Sequence, residues 1–384
     1  MFTHSFTFCT GYIQRRNRRH GGVFTIVSTH TKKIKNMRKF IALLGFVYLS
    51  IASYSQNCNC EENLRFTIKK VENDYAGFND KVSRKNKAEY ITFREKMLVR
   101  AQEINNATNR CSKLLYQYLD YFKDNHLYFE MRQNSDFYFT FQKIDSTTSL
   151  IRIPNFSSND KAVIDSLVIK NLDIISKTSI LIIDLRGNRG GIDYSFESLL
   201  PIIYTNPYVM KGVEWKASEG NINFFEESLK KRSYRDGKEK DIQEKINQME
   251  KHIGSFVTIE KEDTIYEKKV LERPLKVGVI VNDYCASSCE EFILIAKQSR
   301  KVTVFGINTA GTLDYSNTIP VAMPTKGMLL RYPMTRSKRL PENPIDNIGI
   351  TPDVKIDLPD NFRIAKDKVD DWVIFAVNYL KTKN

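Results

Sequence analysis

Two short segments hold residue types suited to acyl chemistry, and each follows an apolar run. Tyr284-Cys285-Ala286-Ser287-Ser288-Cys289-Glu290-Glu291-Phe292 comes directly after the run KVGVIVN and opens a stretch of helical spacing that reaches Ser299. A serine at a strand-to-helix turn lies at the positive end of the helix, among N–H groups that lack intrahelical partners. That setting suits a nucleophile and the oxyanion it generates. The same residues also fit a helix cap, because Ser287 followed by Glu290 at the third helical position is a capping box worth about 1 kcal/mol. The second segment, Asp184-Leu185-Arg186-Gly187-Asn188-Arg189-Gly190-Gly191, comes after SILIIDL. Its three glycines permit positive φ and leave backbone N–H groups uncovered, which makes either an oxyanion cradle or a tight structural turn. The order G-x-x-G-G is not a dinucleotide fingerprint, and no P-loop lysine follows.

A serine nucleophile needs a proton acceptor. Of five histidines, His4, His20 and His30 lie near the front of the chain, leaving His126 and His252. His252 stands just before Gly254 at the end of a charged helical stretch, where an imidazolium complements the helix dipole. His126 follows the helical Phe122-Lys123-Asp124-Asn125 and precedes the strand-like Leu127-Tyr128-Phe129. A side chain at such a junction can enter a cleft or serve the packing alone. Asp346-Asn347-Ile348-Gly349-Ile350-Thr351-Pro352-Asp353 supplies acids able to orient a histidine, although its Gly and Pro equally fit a surface turn.

These residues must be positioned by the elements around them. From about residue 126 the chain shows short apolar or alternating runs bounded by turn residues: FYFTFQKI, SLIRIP, SILIIDL, KVGVIVN, KVTVFG and MLLRYP. SILIIDL and KVGVIVN are continuous and rich in β-branched residues, as expected of parallel strands buried on both faces. Helical spacing recurs between the runs, at about 160–176, 194–204 and 287–299, so the fold class is α/β. Residues 57–123 are expected to form a small helical N-terminal subdomain, residues 124–360 the main domain, and 361–384 a C-terminal helix. Within the main domain, residues 210–260 carry dense charge and no strand signal before Ser255, which suggests a solvated excursion or a lid.

Charge and length narrow the function classes. The 384 residues include 59 Lys+Arg and 45 Asp+Glu, for a net charge of +14. Residues 1–56 hold nine of those bases and no acid, which leaves 50 against 45 and only +5 for the rest. A polyanion partner such as nucleic acid is therefore not expected. Met37-Arg38-Lys39 followed by the apolar Phe40 to Ile51, with Ser53 and Ser55 before Gln56, has the build of an export signal over 37–56. Its apolar stretch rises only ~18 Å as a helix against a ~30 Å hydrocarbon core, so no stable membrane span is expected after cleavage. Residues 1–36 are an extension ahead of that signal, with Met37 the expected initiator and a tail on an uncleaved signal anchor the alternative. An exported chain meets an oxidising compartment, where Cys58 or Cys60 could pair with Cys111. Cys285 and Cys289 are expected as small buried residues. No zinc spacing is present, and neither a metal nor a cofactor is expected.

Together these segments resemble the C-terminal processing, or tail-specific, serine peptidase family over residues 120–357. Asp184 to Gly191 matches that family's D-L-R-x-N-x-G-G turn, and Ala286-Ser287-Ser288-Cys289-Glu290 its A-S-x-x-E segment. Gly306-Ile307-Asn308-Thr309-Ala310-Gly311 matches G-x-x-T-x-G, and Gly349 to Asp353 matches G-I-x-P-D. The resemblance implies a ClpP/crotonase-like peptidase core, a polypeptide substrate and Ser287 as nucleophile. It further implies an oxyanion hole from the N–H of Ser288 with that of Gly190 or Gly191.

Two departures matter. Many members place a Lys base directly after G-x-x-T-x-G, and here that residue is Thr312. The tricorn-like branch instead uses a histidine in a D-x-H-type segment with a downstream acid, matched by Asp124-Asn125-His126 and Asp346. The expected constellation is therefore Ser287, His126 as base and Asp346 as orienting acid. The segment before His126 also lacks a strand-rich unit of PDZ type, so preference for a free C-terminus does not carry over. The leading alternative is a peptide-binding relative without catalysis. Acyl-CoA chemistry, and Cys285 or Cys289 as nucleophile, fit the sequence less well.

Overall fold

The computed structural model describes residues 59–104, 108–130, 138–234, 237–259, 262–361 and 368–382. The extension 1–36, the expected export signal 37–56 and Cys58 lie outside the described residues. Among the described residues the α-helices are α1 (Cys60–Asp74), α2 (Phe78–Lys81), α3 (Lys87–Gln102), α4 (Thr108–Asp120), α5 (Lys161–Ile175), α6 (Leu200–Ile203), α7 (Glu219–Lys231), α8 (Glu239–Glu250), α9 (Ser288–Ala296) and α10 (Asp371–Thr382). The strands are β1 (Tyr128–Phe129), β2 (Thr140–Lys143), β3 (Thr148–Arg152), β4 (Ile180–Asp184), β5 (Tyr208–Met210), β6 (Val213–Lys216), β7 (Phe256–Val257), β8 (Asp263–Ile265), β9 (Lys276–Val281), β10 (Val302–Gly306), β11 (Tyr315–Ala322), β12 (Leu329–Ser337) and β13 (Val354–Lys355).

The apolar runs build a six-stranded sheet in the order β13-β10-β9-β4-β3-β2, parallel throughout except for the antiparallel β2–β3 pair. Its central strands carry unbroken runs without a polar side chain, 180–183 in β4 and 277–281 in β9, because both faces are covered. In β4, Leu181 and Ile183 face the side packed by Ile164 and Val168 of α5 and by Phe292 and Ile293 of α9. Ile180 and Ile182 face the other side, against Trp372, Val373, Ala376 and Leu380 of α10. The period of two along a strand thus divides one apolar run between two cores. The chemistry-bearing turns leave the carboxyl ends of β4, β9 and β10, the end of an open α/β sheet where ligands bind.

A second, antiparallel sheet places β12 centrally, with β11 along one edge and β1 and β6 along the other, and β7 beyond β6. Its core joins Leu64, Val71 and Leu115 of the N-terminal helices, and Phe122 in the turn after α4, to Trp215, Phe225, Met249 and Val257. Residues 210–260, expected to carry no strand before Ser255, therefore contain β6 and share one apolar core with α1, α3 and α4. Trp215 and Phe225 are the reason, since their burial among N-terminal side chains makes this segment part of a packed body and not a solvated excursion. Asp74 at the end of α1 fixes the contact, because its backbone carbonyl accepts the Asn221 side chain at 3.0 Å. A disulfide joins Cys60 in α1 to Cys111 in α4, with Cα atoms 5.4 Å apart. No helix among the described residues is long and apolar enough to cross a membrane.

Candidate active site

Ser287 stands at the N-cap of α9 with φ +58 and ψ −127, a conformation an L-residue adopts only when its surroundings impose it. Glu290 imposes it. This glutamate is 0% exposed, and its Oε2 accepts the N–H of Ser287 at 3.1 Å and of Thr312 at 2.8 Å. Its Oε1 accepts Gly311 N–H at 2.8 Å and the Thr309 hydroxyl at 2.5 Å. The capping box is therefore present, but the carboxylate also cradles the 309–312 loop, so capping and positioning of Ser287 are one act. Burial pushes the Glu290 carboxyl up, and these four donors oppose the push. Ser287 N–H has a second acceptor in the Thr312 carbonyl at 3.0 Å.

The glycine turn packs directly on this corner. A Cβ at Gly190 would lie 2.4 Å from the Ala286 carbonyl oxygen and 2.8 Å from both Ser287 Cβ and Ser288 N, and Gly190 has φ +83. Only glycine allows that approach. Asn188 shapes the turn from within, donating to the Ile153 carbonyl at 2.9 Å and accepting Gly190 N–H at 2.8 Å. That bond consumes the Gly190 donor, whereas Gly191 N–H and Ser288 N–H have no acceptor among the described residues. These two donors flank Ser287 and can hold an oxyanion. Asp184 and Arg186 of the same motif play a different part. Arg186 is buried and binds Asp184, Asp360 at 3.1 Å and Asp370 at 2.7 Å, and Arg152 adds a further bond to Asp184 at 2.9 Å. Burial would raise the Asp184 carboxyl, but the two guanidiniums hold it below the usual range. This network ties the turn to the start of α10.

His126 reaches the corner from the junction of α4 and β1. Asp124 Oδ1 accepts the His126 backbone N–H at 2.8 Å, and its Oδ2 accepts the Tyr75 hydroxyl at 2.7 Å. The neighbouring Asn125 donates to Thr312 Oγ1 at 3.3 Å, and Thr312 is the residue whose carbonyl holds Ser287 N–H. Imidazole Nδ1 lies 2.5 Å from the Tyr315 carbonyl oxygen. A carbonyl only accepts, so Nδ1 carries the proton and Nε2 is the basic nitrogen of the neutral ring. Burial lowers the His126 pKa, opposed by the Tyr315 carbonyl and by the charges of Asp346 and Glu290.

Asp346, expected to orient His126, makes no hydrogen bond to it. Its Oδ1 accepts the N–H groups of Leu313 and Asp314, both at 2.8 Å, and its Oδ2 is buried without a partner. Burial pushes this carboxyl up to about 6. The main-chain oxygen of Tyr315 orients the ring, and Asp346 reaches His126 through charge. Sequence reasoning missed Glu290 as a loop-organising hub and Tyr315. The first was signalled by the Thr309 and Gly311 of G-x-x-T-x-G, both of which serve it, whereas a backbone acceptor has no signal in residue type. His252 is exposed, and its Nδ1 lies 2.8 Å from the Gln248 carbonyl oxygen. Cys285 and Cys289 are fully buried, Cys285 donates to the Leu185 carbonyl at 3.1 Å, and burial raises the Cys289 thiol.

The family model of Peptidase family S41 matches residues 147–356. No curated protein matches the chain. Solved structures do. A candidate peptidase from Parabacteroides merdae has a TM-score of 0.55 at 14% identity, over 85% of this chain and 98% of that one. A lipoprotein from Streptococcus agalactiae has a TM-score of 0.52 at 17% identity, over 85% and 97%. Mature CPAF has a TM-score of 0.57 at 12% identity, over 84% and 95%. At these identities the likeness is one of fold.

Proposed function

Because this chain belongs to Peptidase family S41 and is a serine-type peptidase acting on polypeptides, we propose that Ser287 is its nucleophile and His126 its general base. One observation carries this reading: Thr312 joins the two segments, accepting Ser287 N–H on its carbonyl and Asn125 on its hydroxyl, while the Tyr315 carbonyl leaves His126 Nε2 as the basic nitrogen. Nε2 takes the Ser287 hydroxyl proton as Oγ attacks the scissile carbonyl. The oxyanion forms against Gly191 and Ser288 N–H, and the imidazolium returns the proton to the leaving amine. Water activated by the same nitrogen then hydrolyses the acyl-enzyme. Thr312, 4% exposed, fills the position that a dyad lysine occupies in other members, which supports the lysine-free branch.

We read the six-stranded sheet with α5, α9 and α10 as a ClpP/crotonase-type core, and α1 to α4 as its N-terminal helical unit. We further propose that the protein is exported. The Cys60–Cys111 disulfide supports an oxidising compartment. The reading of the site is tested with a fluorophosphonate probe on residues 57–384. Labelling at Ser287 is expected to vanish in Ser287→Ala and to slow by roughly 10²–10⁴-fold in His126→Ala, the span of a general base. Wild-type labelling rates in His126→Ala refute the base, and casein left intact by a labelled wild type refutes turnover.

A further inference from the structure

The oxygen that orients His126 belongs to the main chain, so its place depends on what holds Tyr315. Tyr315 opens β11, and the sheet register sets it opposite Arg336 in β12, which is itself opposite Glu214 in β6. Residues directly opposite share a face, so these side chains form one row across three strands. Hydrogen bonds link the row. Arg336 Nε donates to Glu214 Oε2 at 2.8 Å, and its Nη1 donates to Asp80 Oδ1 at 3.0 Å. The other oxygen of Asp80, in α2, accepts the Tyr315 hydroxyl at 3.2 Å. Burial and the Asp80 charge push that hydroxyl's pKa well up, so it keeps its proton and donates. Two neighbours of Asp80 in the chain also meet the ring: Tyr75 lies edge-on with centroids 5.8 Å apart, and Lys81 Nζ stands 5.1 Å from its centroid.

We propose that Asp80 is a positioning residue for His126 and acts through Tyr315. By gripping the tyrosine hydroxyl and Arg336 together, it fixes the start of β11 and with it the carbonyl that keeps the proton on His126 Nδ1. Tyr315 is thus held at one end by an acid and offers an acceptor at the other. Released from Asp80, the strand end loses a restraint, and the imidazole loses part of its bias toward the tautomer with a basic Nε2. The Arg336–Asp80 pair is partly exposed, and such pairs add little to stability, so the row contributes placement and Asp80→Ala is expected to fold. The effect on catalysis rests on His126 being the general base. The effect on the ring does not.

Nitrogen-15 NMR of the histidine rings in the full chain reads the tautomer directly at about pH 8, where an imidazole of ordinary pKa ~6.5 is neutral. The His126 signals are those absent from His126→Ala. The wild type is expected to be protonated predominantly at Nδ1. Asp80→Ala is expected to shift the tautomer ratio toward Nε2–H by roughly two- to tenfold, the span of one hydrogen bond of ordinary net strength. Tyr315→Phe removes the hydroxyl, leaves the ring and the carbonyl, and is expected to shift the ratio in the same direction. Asp80→Asn is expected to recover most of the shift, because its amide oxygen still accepts from Arg336 while its N–H donates to the hydroxyl oxygen. Wild-type His126 signals in Asp80→Ala and Tyr315→Phe overturn the proposal, as does a shift in Asp80→Asn equal to that in Asp80→Ala. Should Asp80→Ala fail to fold, Tyr315→Phe decides alone. Fluorophosphonate labelling of the same variants separates positioning from the identity of the base. A tautomer shift with slower labelling supports both, and a tautomer shift at the wild-type labelling rate supports the positioning and refutes the base. Slower labelling without a tautomer shift overturns the positioning.

Discussion

Glu290 shows how a residue visible in a motif acquires its meaning from the partners it meets. By spacing it is a helix cap, and in three dimensions its two oxygens serve four donors on two loops. Glutamine offers one oxygen in place of two. With its amide turned toward Thr309, whose hydroxyl can switch to accepting, Gly311 N–H still loses its acceptor. Glu290→Gln is therefore expected to cost about 1–3 kcal/mol in urea denaturation and to slow Ser287 labelling at least about tenfold, since a buried donor is left unpaired beside Ser287. Unchanged stability in this variant would show that the cradle is redundant. Ser287, Ser288, Gly190, Gly191 and His126 were all legible in sequence as candidates. Which of the two glycine N–H groups meets an acceptor was not, because it turns on where one side-chain oxygen, Asn188 Oδ1, points.

At the scale of elements, the buried strands announced themselves because burial on both faces writes a continuous apolar run. β11 did not. It is an edge strand with Asn317 at φ +56 and Pro320 within it, and an edge needs neither an unbroken apolar pattern nor every N–H. β6 was hidden for a related reason: its four residues alternate charge with Val213 and Trp215, too short a pattern to read without β12 beside it. The N-terminal helices are tied by the Cys60–Cys111 disulfide, whose partners are 51 residues apart. Closing a loop of that size is worth roughly 4 kcal/mol in the chain-entropy account. Melts with and without a phosphine reductant are expected to show a lower Tm on reduction, and Cys60→Ser/Cys111→Ser should melt at the reduced value with or without reductant. A reductant effect that survives in this double variant would assign the stabilisation elsewhere.

On the scale of the whole molecule, the site lies where the core of the parallel sheet meets the core of the helices and antiparallel sheet, and this seam is acidic and buried. Burial pushes Asp124 up to about 6. An acid raised in the folded state contributes stability that is complete below its unfolded value of ~3.9 and is lost as pH rises through its folded value. His126, lowered by burial, acts oppositely, its stabilisation being lost as pH falls through its folded value. The two effects separate in Asp124→Asn, which keeps the bond to His126 N–H. The wild-type advantage in Tm over this variant is expected to shrink as pH rises from about 4 to about 7. A constant or growing advantage contradicts burial as the dominant effect. By itself the sequence determined the parallel-sheet core, the glycine turn and the serine corner, because two-sided burial and positive φ restrict residue type locally. Only the tertiary structure decided that a main-chain carbonyl orients His126, that Asp346 accepts the backbone of Leu313 and Asp314 and makes no bond to His126, and that residues 210–260 belong to the N-terminal core. Backbone acceptors carry no residue signature, and contacts between distant segments exist only once the chain has folded.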